Sequence, residues 1–268
     1  MVFKNKTVFI TGASRGIGKA IALQLAAAGA NIVVAAKSVQ ENPTLGGTIF
    51  SVVEEIKSIG GNALAVELDV RNEIQIQAAV EKTMQTFNGI DIVINNASAL
   101  FLANTTNTES KKFDLMYNVN VRGSFLVTKY CLPFLKKGNN PHIITMSPPI
   151  NLNPIWLKDY ATYTITKYGM SLLAMGWATE FKEFGIASNS LWPKTIIATK
   201  AVENNFGGID MLNKSRKPTI IADAVLHICK EDATNFTGNN LIDEDYLKTK
   251  GITDFSKYNY LKGATLFP

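Results

Sequence analysis

Seven short runs of apolar, β-prone residues recur along the chain, and segments of helical pattern separate them. The runs are KTVFIT, NIVVAA, ALAVEL, DIVIN, HIITM, IASNSLW and the weaker NNLID. Helical patterns such as IGKAIALQLAAAG, EIQIQAAVEKTMQTF and FLVTKYCLPFLKK lie between them. Short strands that are almost wholly apolar are typical of a parallel sheet that helices cover on both faces. The pattern therefore predicts a single α/β domain with a Rossmann-type, doubly wound parallel sheet.

The composition is that of a globular chain, because 46% of the 268 residues are apolar. The formal net charge is +5, but the lysines are scattered, which favours a solvated surface over a nucleic-acid site. Cys131 and Cys229 are far apart and not in metal-ligand spacing, so we expect free thiols and no metal site. The start lacks a cleavable apolar leader, and no apolar run matches a bilayer, so we expect a cytoplasmic location with an organelle left open.

A glycine-rich turn, TGASRGIG, joins the first predicted strand to the first predicted helix. Gly12 permits a tight turn that a side chain would block. Gly16 and Gly18 allow the backbone to approach a pyrophosphate and the helix to approach the sheet. The helix N-terminus offers such an anion free N–H groups and a positive dipole end. A plain strand-to-helix turn is the alternative, but the strand–turn–helix context favours a dinucleotide site.

The end of the second predicted strand indicates which dinucleotide binds. An NAD site usually has an acidic residue there, which binds the ribose 2′-hydroxyl. Here Lys37 and Ser38 follow the strand instead. Lys37, together with Arg15 in the glycine turn, would attract a 2′-phosphate. A solvated surface lysine is the alternative for Lys37, but two basic residues at two suitable positions favour NADP.

Tyr163 and Lys167 are four residues apart, so they share one face if this segment is helical. We expect the helix to begin before Tyr163, although ATYTIT taken alone resembles a strand. A free phenol has a pKa of about 10, and a neighbouring ammonium would lower the pKa of Tyr163. The phenol could then protonate a carbonyl oxygen or deprotonate an alcohol. A chance Tyr-x3-Lys is the alternative.

Four motifs together resemble the short-chain dehydrogenase/reductase family, namely TGASRGIG, NNAS, NVNVRGSF and YTITK. Longer strings, including MSPPINLNPIW and DATNFTGNNLIDED, resemble one group of that family. Members of that group often carry a further sterol-carrier-like domain, and this chain stops before one. The resemblance implies a dehydrogenase/reductase domain over residues 1–245. Residues 246–268 are then an extension that packs on the domain or forms a tail, and neither they nor residues 38–47 show a clear pattern.

The resemblance also implies roles for individual residues. Tyr163 would be the acid/base, Lys167 would bind the nicotinamide ribose, and Asn120 would hold a water relayed to Lys167. Further residues match family positions at the cofactor loop, the adenine pocket, the cofactor ribose and the nicotinamide amide. They are Gly12, Ser14, Arg15, Gly16, Ile17 and Gly18 in the loop, Asp69 and Val70 in the pocket, Asn95 and Ala97 along the ribose, and Pro193 and Thr195 at the amide.

Several residues depart from the family pattern. Ser98 replaces the last glycine of NNAG, and Lys194 replaces the glycine that commonly follows Pro193. Glu244 and Asp245 stand where two glycines often follow an aspartate. None of these departures removes the predicted cofactor loop.

The departure with most consequence is at Ser147 and Pro148, where the family usually has Ser-Ser and the second serine is catalytic. Proline has neither a hydroxyl nor an N–H, so Pro148 cannot bind a substrate carbonyl. A turn after Met146 could bring Ser147 into the site, and Asn151 or Asn153 could instead supply an amide donor. The alternative is that Ser147 only satisfies a backbone group. We expect a complete but rebuilt centre in which Ser147 replaces the missing hydroxyl.

More than one function fits these observations. The first is an NADP-dependent oxidoreductase that acts on a carbonyl or secondary alcohol, and a lipid-like small molecule is implied by the resemblance alone. The second is an NADP-binding regulatory protein with weak or lost catalysis, which Pro148 favours. A nucleotide-sugar epimerase also uses Tyr-x3-Lys, but the compact length and the glycine spacing disfavour it. We expect a homo-oligomer, either a dimer or a tetramer, with no nucleic-acid partner and no membrane span.

Overall fold

A computed structural model describes residues 2–267, in which strands and helices alternate along the chain. The strands are Thr7–Thr11 (β1), Asn31–Ala36 (β2), Asn62–Glu67 (β3), Ile92–Asn95 (β4), His142–Met146 (β5), Ala187–Trp192 (β6) and Asn240–Ile242 (β7). The α-helices are Gly16–Ala27 (α1), Ile49–Ser58 (α2), Glu73–Phe87 (α3), Ser110–Tyr117 (α4), Gly123–Leu135 (α5), Ala161–Glu180 (α6), Lys200–Asn205 (α7), Gly208–Asn213 (α8), Thr219–Ile228 (α9) and Asp243–Thr249 (α10).

The strands form one parallel sheet in the order β3-β2-β1-β4-β5-β6-β7. All seven predicted strands are present, and the predicted doubly wound, single-domain α/β fold is confirmed. Strand β1 pairs with β2 on one side, where Val8 is opposite Ile32, and with β4 on the other, where Val8 is opposite Ile92. The strand order therefore changes direction between β1 and β4, and a crevice for a ligand is expected there, at the carboxyl ends of the strands.

Alternate residues of each strand face opposite helical layers. Val8 and Ile10 belong to a buried cluster with residues of α1, α2 and α9, whereas Phe9 belongs to a second cluster with residues of α3 and α5. All three side chains are fully buried. Burial of one such side chain is worth about 1.5–3 kcal/mol. The two clusters explain why the strands are apolar at successive positions.

The segment after β7 is ordered, although its sequence shows no clear pattern. It begins with α10, whose first turn is acidic, an arrangement that the helix dipole favours. The chain then returns to the segment after α8, where Tyr260 N donates to Ser215 O (3.0 Å) and Phe267 N to Lys214 O (2.9 Å). Tyr258 is buried in this contact region. The segment after α10 therefore contacts the segment after α8, and the division at residue 245 stays a prediction. Met1 and Pro268, at the ends of the predicted ranges, lie outside the described residues.

Residues 38–47 form a loop between β2 and α2 without helix or strand. The Asn42 carbonyl closes a turn by accepting from Leu45 N and Gly46 N, and Thr48 then caps α2. Across residues 2–267, the helices are too short or too polar to span a bilayer. Within that same range, no cluster of three or more His, Cys, Asp or Glu side chains is arranged to hold a metal ion.

Candidate functional site

The glycine turn after β1 fits closely against the loop after β4. Gly12 has a φ of 67° and Gly16 a φ of 55°, a region that favours glycine. A Cβ on Gly12 would lie 3.0 Å from Ala97 Cα, and one on Gly18 would lie 2.5 Å from Gly12 O. No side chain caps the N-terminus of α1. The open backbone and the uncapped helix end fit a pyrophosphate, as the sequence predicts.

Asn96 stabilises this turn through hydrogen bonds, a role that its position in the sequence does not indicate. Its Nδ2 donates to Thr11 O (2.9 Å) and Gly12 O (3.0 Å), while the Thr11 hydroxyl accepts from Asn96 N and Ala97 N (3.0 Å each). The preceding Asn95 is buried, and its Nδ2 donates to Thr128 Oγ1 (3.0 Å) on α5. The Oδ1 of Asn95 is buried without a hydrogen-bond partner within residues 2–267. Ala97 lies directly beside the glycine turn.

The basic residues predicted to select the cofactor lie around the end of β2. The Arg15 guanidinium donates to Ser38 Oγ (2.8 Å), Gly46 O (2.8 Å) and Gly47 O (3.0 Å). Lys37 is exposed beside it. Burial lowers the pKa of Arg15 from its ordinary value, and arginine nevertheless remains charged in proteins. The 38–47 loop thus holds a positive charge next to a serine hydroxyl, which is a suitable donor set for a phosphate.

The two predicted adenine-pocket residues differ in their surroundings. The Asp69 carboxylate is bound by Arg71, with Nε 2.9 Å from Oδ1 and Nη2 2.5 Å from Oδ2. This hydrogen bond is the main reason that the pKa of Asp69 lies below its ordinary value, and Lys37 acts in the same direction. Val70 is buried, and its side chain packs against Gly123. A Cβ on Gly123 would lie 2.7 Å from Val70 Cγ2. Asp69 is therefore held at the surface by an ion pair, while Val70 packs inward.

Asn120 links the loop after β4 to the helix that carries Tyr163. It is fully buried in a π-helical turn, Asn118–Arg122, between α4 and α5. Its Oδ1 accepts from Ala99 N (2.7 Å), and its Nδ2 donates to Ala99 O (3.0 Å) and Thr166 Oγ1 (2.9 Å). π-turns of this kind are frequent at functional sites. Thr166, one residue before Lys167, is a second supporting residue that the motif pattern did not reveal.

Tyr163 and Lys167 lie in the first two turns of α6, so the helix begins before Tyr163 as predicted. The Lys167 amino group is buried and donates to Met146 O (2.5 Å), and it lies 5.2 Å from the Trp192 ring centroid. A cation over an aromatic face is favourable. The end of β5 and the end of β6 thus both hold Lys167 in place.

The electrostatics of this pair differ from the sequence expectation. Burial raises the pKa of the Tyr163 phenol above its ordinary value, and the neighbouring Ser98 hydroxyl opposes that rise. Burial also lowers the pKa of Lys167 to about 7. The expectation that Lys167 lowers the pKa of Tyr163 is therefore wrong for this structure, because burial dominates both groups. Ser98, noted in the sequence only as a departure, is the polar side chain that favours the phenolate.

The segment after β5 turns sharply and leaves one hydroxyl without a partner. Ser147 is fully buried, and its Oγ makes no hydrogen bond within residues 2–267. Pro148 O accepts from Ser171 Oγ (2.6 Å), which fixes the turn on α6. Asn151 Oδ1 accepts from Asn153 N (3.0 Å), and Asn153 Oδ1 accepts from Ile155 N (3.1 Å). The two asparagines therefore shape the loop, and Ser147 does not satisfy a backbone group as the structural alternative supposed.

The loop after β6 carries Pro193 and Thr195. Lys194 N donates to Asp243 Oδ1 (2.9 Å), and Thr195 Oγ1 is buried without a hydrogen-bond partner within residues 2–267. Farther along, Thr199 lies near the glycine turn, since its Cγ2 would be 3.3 Å from a Cβ on Gly16. The turn after β1 and the loop after β6 thus approach one another. Ser147 and Thr195, at the ends of β5 and β6, thus each have a buried hydroxyl without a hydrogen-bond partner within the described residues.

The parallel sheet, the glycine turn and the Tyr163–Lys167 pair define a nucleotide-binding oxidoreductase. The chain belongs to the short-chain dehydrogenase family, whose family model matches residues 6–210. It is similar to human hydroxysteroid dehydrogenase-like protein 2, with 54% identity over 262 residues, which cover 98% of this chain and 62% of that protein. The chain thus spans less than two thirds of the length of this relative, which represents the group that the longer motifs indicate.

Solved structures agree with this assignment. A putative dehydrogenase from Xanthomonas campestris has 48% sequence identity and a TM-score of 0.96, with coverage of 100% of this chain and 98% of that one. A metagenomic short-chain oxidoreductase in complex with NADP has 24% identity and a TM-score of 0.74, with coverage of 90% and 98%. The likeness to the metagenomic oxidoreductase, at 24% identity, is a likeness of fold alone.

The buried Lys167 generates a stability prediction. Its folded pKa is about 7 and its ordinary value is 10.5. Between these pH values the unfolded chain binds a proton that the folded chain has lost, so the native protein gains stability as the pH rises. Between pH 7.5 and 9.5 we expect native stability to increase by about 2 kcal/mol relative to Lys167→Met. Urea unfolding at several pH values measures this difference.

A control for this experiment is Lys137→Met, a change on the exposed surface at the end of α5. A difference between the native protein and Lys167→Met that stays constant across the pH range would contradict the low pKa of Lys167. A difference that changes in the opposite direction would show that Lys167 is charged and well paired when folded.

Proposed function

We propose that this chain is an NADP-dependent oxidoreductase that acts on a carbonyl or secondary alcohol. The observation that carries the proposal is the Tyr163–Lys167 pair, held at the carboxyl ends of β5 and β6 by Met146 and Trp192. The pair lies on the same sheet edge as the glycine turn, to which the loop containing Ala97 and Ser98 connects it. A phenol, an amine and a dinucleotide turn at one edge are the parts that such a reaction needs.

In this proposal Tyr163 moves the proton. The pKa of its phenol lies above the ordinary value, so the phenol remains protonated near neutral pH, as a general acid for carbonyl reduction must be. Bound nicotinamide would supply or accept the hydride. Lys167 would bind the nicotinamide ribose and, once charged, would favour the phenolate that forms at Tyr163. Asn120 orients the helix through Thr166 and so keeps both side chains on the site.

The preference for NADP is supported by the charge around the end of β2. Arg15 and Ser38 are bonded to each other (2.8 Å), and Lys37 is exposed beside them. No acidic residue occupies positions 36–38, where an NAD site usually has one. The metagenomic oxidoreductase of the same fold binds NADP. These features together favour a ligand that carries a 2′-phosphate.

The proposed substrate is a lipid-like small molecule. Next to the start of α6, residues 150–159 expose three large apolar side chains, Leu152, Ile155 and Trp156. An exposed apolar surface beside a polar site suits a ligand with a polar reacting group and an apolar body. We further propose that residues 1–245 form the catalytic domain and that residues 246–268 are an extension of it. Assembly into a homo-oligomer and a cytoplasmic location stay predictions.

A second candidate, an NADP-binding regulatory protein with weak catalysis, is favoured by one observation. Pro148 stands where the family usually has the catalytic serine, and proline has no hydroxyl to bind a substrate carbonyl. Oxidation of NADPH in the presence of aldehydes, ketones, 3-ketoacyl thioesters and ketosteroids separates the two candidates. Turnover with a member of this panel that is lost in Tyr163→Phe supports the enzyme. Tight NADPH binding without turnover on any member supports the regulatory protein.

We predict that Tyr163→Phe lowers the turnover number by roughly 10²–10⁴-fold, the usual contribution of a general acid or base. The ring still packs in α6, so NADPH affinity and thermal stability should stay near those of the native protein. Steady-state kinetics and a fluorescence titration with NADPH measure both quantities. Near-normal turnover in the variant would mean that another group supplies the proton.

We predict that Lys37→Asp weakens NADPH much more than NADH. Loss of a charge-assisted contact costs about 1.5–3 kcal/mol, which is roughly ten- to hundredfold in affinity. Dissociation constants for both cofactors, measured on the native protein and the variant, give the result. Lys137→Met is the matched surface control. Equal affinities of the native protein for NADPH and NADH would contradict the proposed cofactor.

We predict that Ser147→Ala lowers the turnover number by about 10²–10³-fold, as expected for one preorganised hydrogen-bond donor. Because the Ser147 hydroxyl has no partner within the described chain, its removal should not destabilise the fold. Thermal unfolding and kinetics with the best substrate of the panel test both parts. An unchanged rate would show that Ser147 does not replace the usual catalytic serine.

A further inference from the structure

A nearly buried carboxylate, that of Glu244, forms ion pairs with three basic side chains from separate parts of the chain. Its Oε2 lies 2.5 Å from Arg216 Nη1, and its Oε1 lies 2.6 Å from Lys248 Nζ and 3.3 Å from Lys194 Nζ. Lys194 also contacts Asp245 Oδ1 at 2.7 Å. The side chains of Glu244 and Arg216 are only 12% and 8% exposed. We call these five residues the Glu244 cluster.

The cluster holds the loop after β6 from one side. Lys194 lies between Pro193 and Thr195, the two residues assigned to the nicotinamide end of the cofactor. Its side chain binds Glu244, while its backbone N–H donates to Asp243 Oδ1 (2.9 Å). Both the backbone and the side chain of Lys194 are therefore fixed to the start of α10. Thr195, next in the chain, has a buried hydroxyl without a partner in the described range.

Arg216 holds the same loop from the other side through its backbone. Arg216 N donates to Ile196 O (2.9 Å), and Ala198 N donates to Arg216 O (2.7 Å), so that Arg216 pairs with Ile197. The backbone of residues 194–198 is thus bonded at Lys194 to Asp243, and at Ile196 and Ala198 to the main chain of Arg216. The Glu244 carboxylate contacts the side chains of both Lys194 and Arg216. Among residues 2–267, Glu244 is the one acidic side chain in an ion pair with both Lys194 and Arg216.

Stability alone is a weak reason for such a cluster. Desolvation of buried charges offsets most of their mutual attraction, and apolar side chains of similar volume often stabilise a fold at least as well. Removal of one partner, however, leaves the other charges of a buried cluster unpaired, which is costly. Such a cluster can therefore favour the one arrangement of its segments in which every charge is paired. The segment fixed here is the one that carries the unpartnered Thr195 hydroxyl.

We propose that Glu244 is a positioning residue for the nicotinamide half of the cofactor site. Through Lys194 and Arg216 it sets the backbone of residues 194–198, and this backbone directs the Thr195 hydroxyl to the bound dinucleotide. The inference rests on the proposed function and extends it, since it assigns a role to the start of α10. The adenine half, around Arg15 and Lys37, lies on other elements and should not respond to Glu244.

The test compares two ligands that share the adenine half. NADPH carries both halves of the cofactor, whereas 2′,5′-ADP carries the phosphorylated adenosine and no nicotinamide. Dissociation constants for both are measured by calorimetry on the native protein, Glu244→Gln and the control Glu54→Gln. Glu54 is in an exposed ion pair with Lys57 on α2. We expect Glu244→Gln to weaken NADPH by roughly tenfold or more, to leave 2′,5′-ADP within about twofold, and Glu54→Gln to change neither.

Lys194→Met provides a second variant in case Glu244→Gln does not fold. The Lys194 side chain is 41% exposed, so its replacement disturbs the core less than a change at Glu244. The same selective loss of NADPH affinity is expected for Lys194→Met. Equal weakening of both ligands, or no change in NADPH affinity in either variant, would overturn the positioning role. A native protein that binds 2′,5′-ADP and NADPH equally weakly would instead overturn the proposed function, and this inference with it.

Discussion

The backbone after β1 can fold over the end of β4 only because positions 12 and 18 have no side chain. A Cβ on Gly18 would lie 2.5 Å from Gly12 O and 2.6 Å from Asn96 Nδ2. Asn96 then fixes the approach by donating to the carbonyls of Thr11 and Gly12. Since β1 and β4 are neighbours in the sheet but distant in the chain, this contact joins the glycine turn to the loop after β4, which contains Ser98 and is bonded to Asn120. Both halves of the site open at one sheet edge as a result.

The half of the candidate site that holds Tyr163 and Lys167 carries an energetic cost that the fold offsets elsewhere. Burial moves the pKa of Lys167 down to about 7 and the pKa of Tyr163 upward, so both groups are held in their neutral forms more readily than in water. An apolar side chain at position 167 would avoid this cost. The Met146 carbonyl and the Trp192 ring stabilise the amine only in part. A buried lysine at position 167 lowers the stability of the fold, and its presence there agrees with a functional requirement for the amine.

Two departures from the family pattern, at Lys194 and at Glu244-Asp245, form one ion-pair network in the structure. Lys194 replaces a glycine after Pro193, and Glu244 and Asp245 replace two glycines after Asp243. In the structure Lys194 contacts both acidic side chains. The replacements therefore compensate one another, and they fasten the loop after β6 to α10.

Local patterns in the sequence were enough to predict the seven strands, the glycine turn and the helix that begins before Tyr163. Each of these depends on residues close together in the chain. The apolar runs indicate the strands, the glycine spacing indicates the turn, and the four-residue spacing of Tyr163 and Lys167 is that of a helix face. The tertiary structure alone decided that Asn96 supports the turn, that the Ser147 hydroxyl has no hydrogen-bond partner within the described residues, and that burial governs the pKa of Tyr163. It also brought Tyr260 and Phe267 against the segment after α8. These outcomes could not be read from the chain, because hydrogen bonds between distant segments and the loss of solvent around a charge depend on what the completed fold brings into contact.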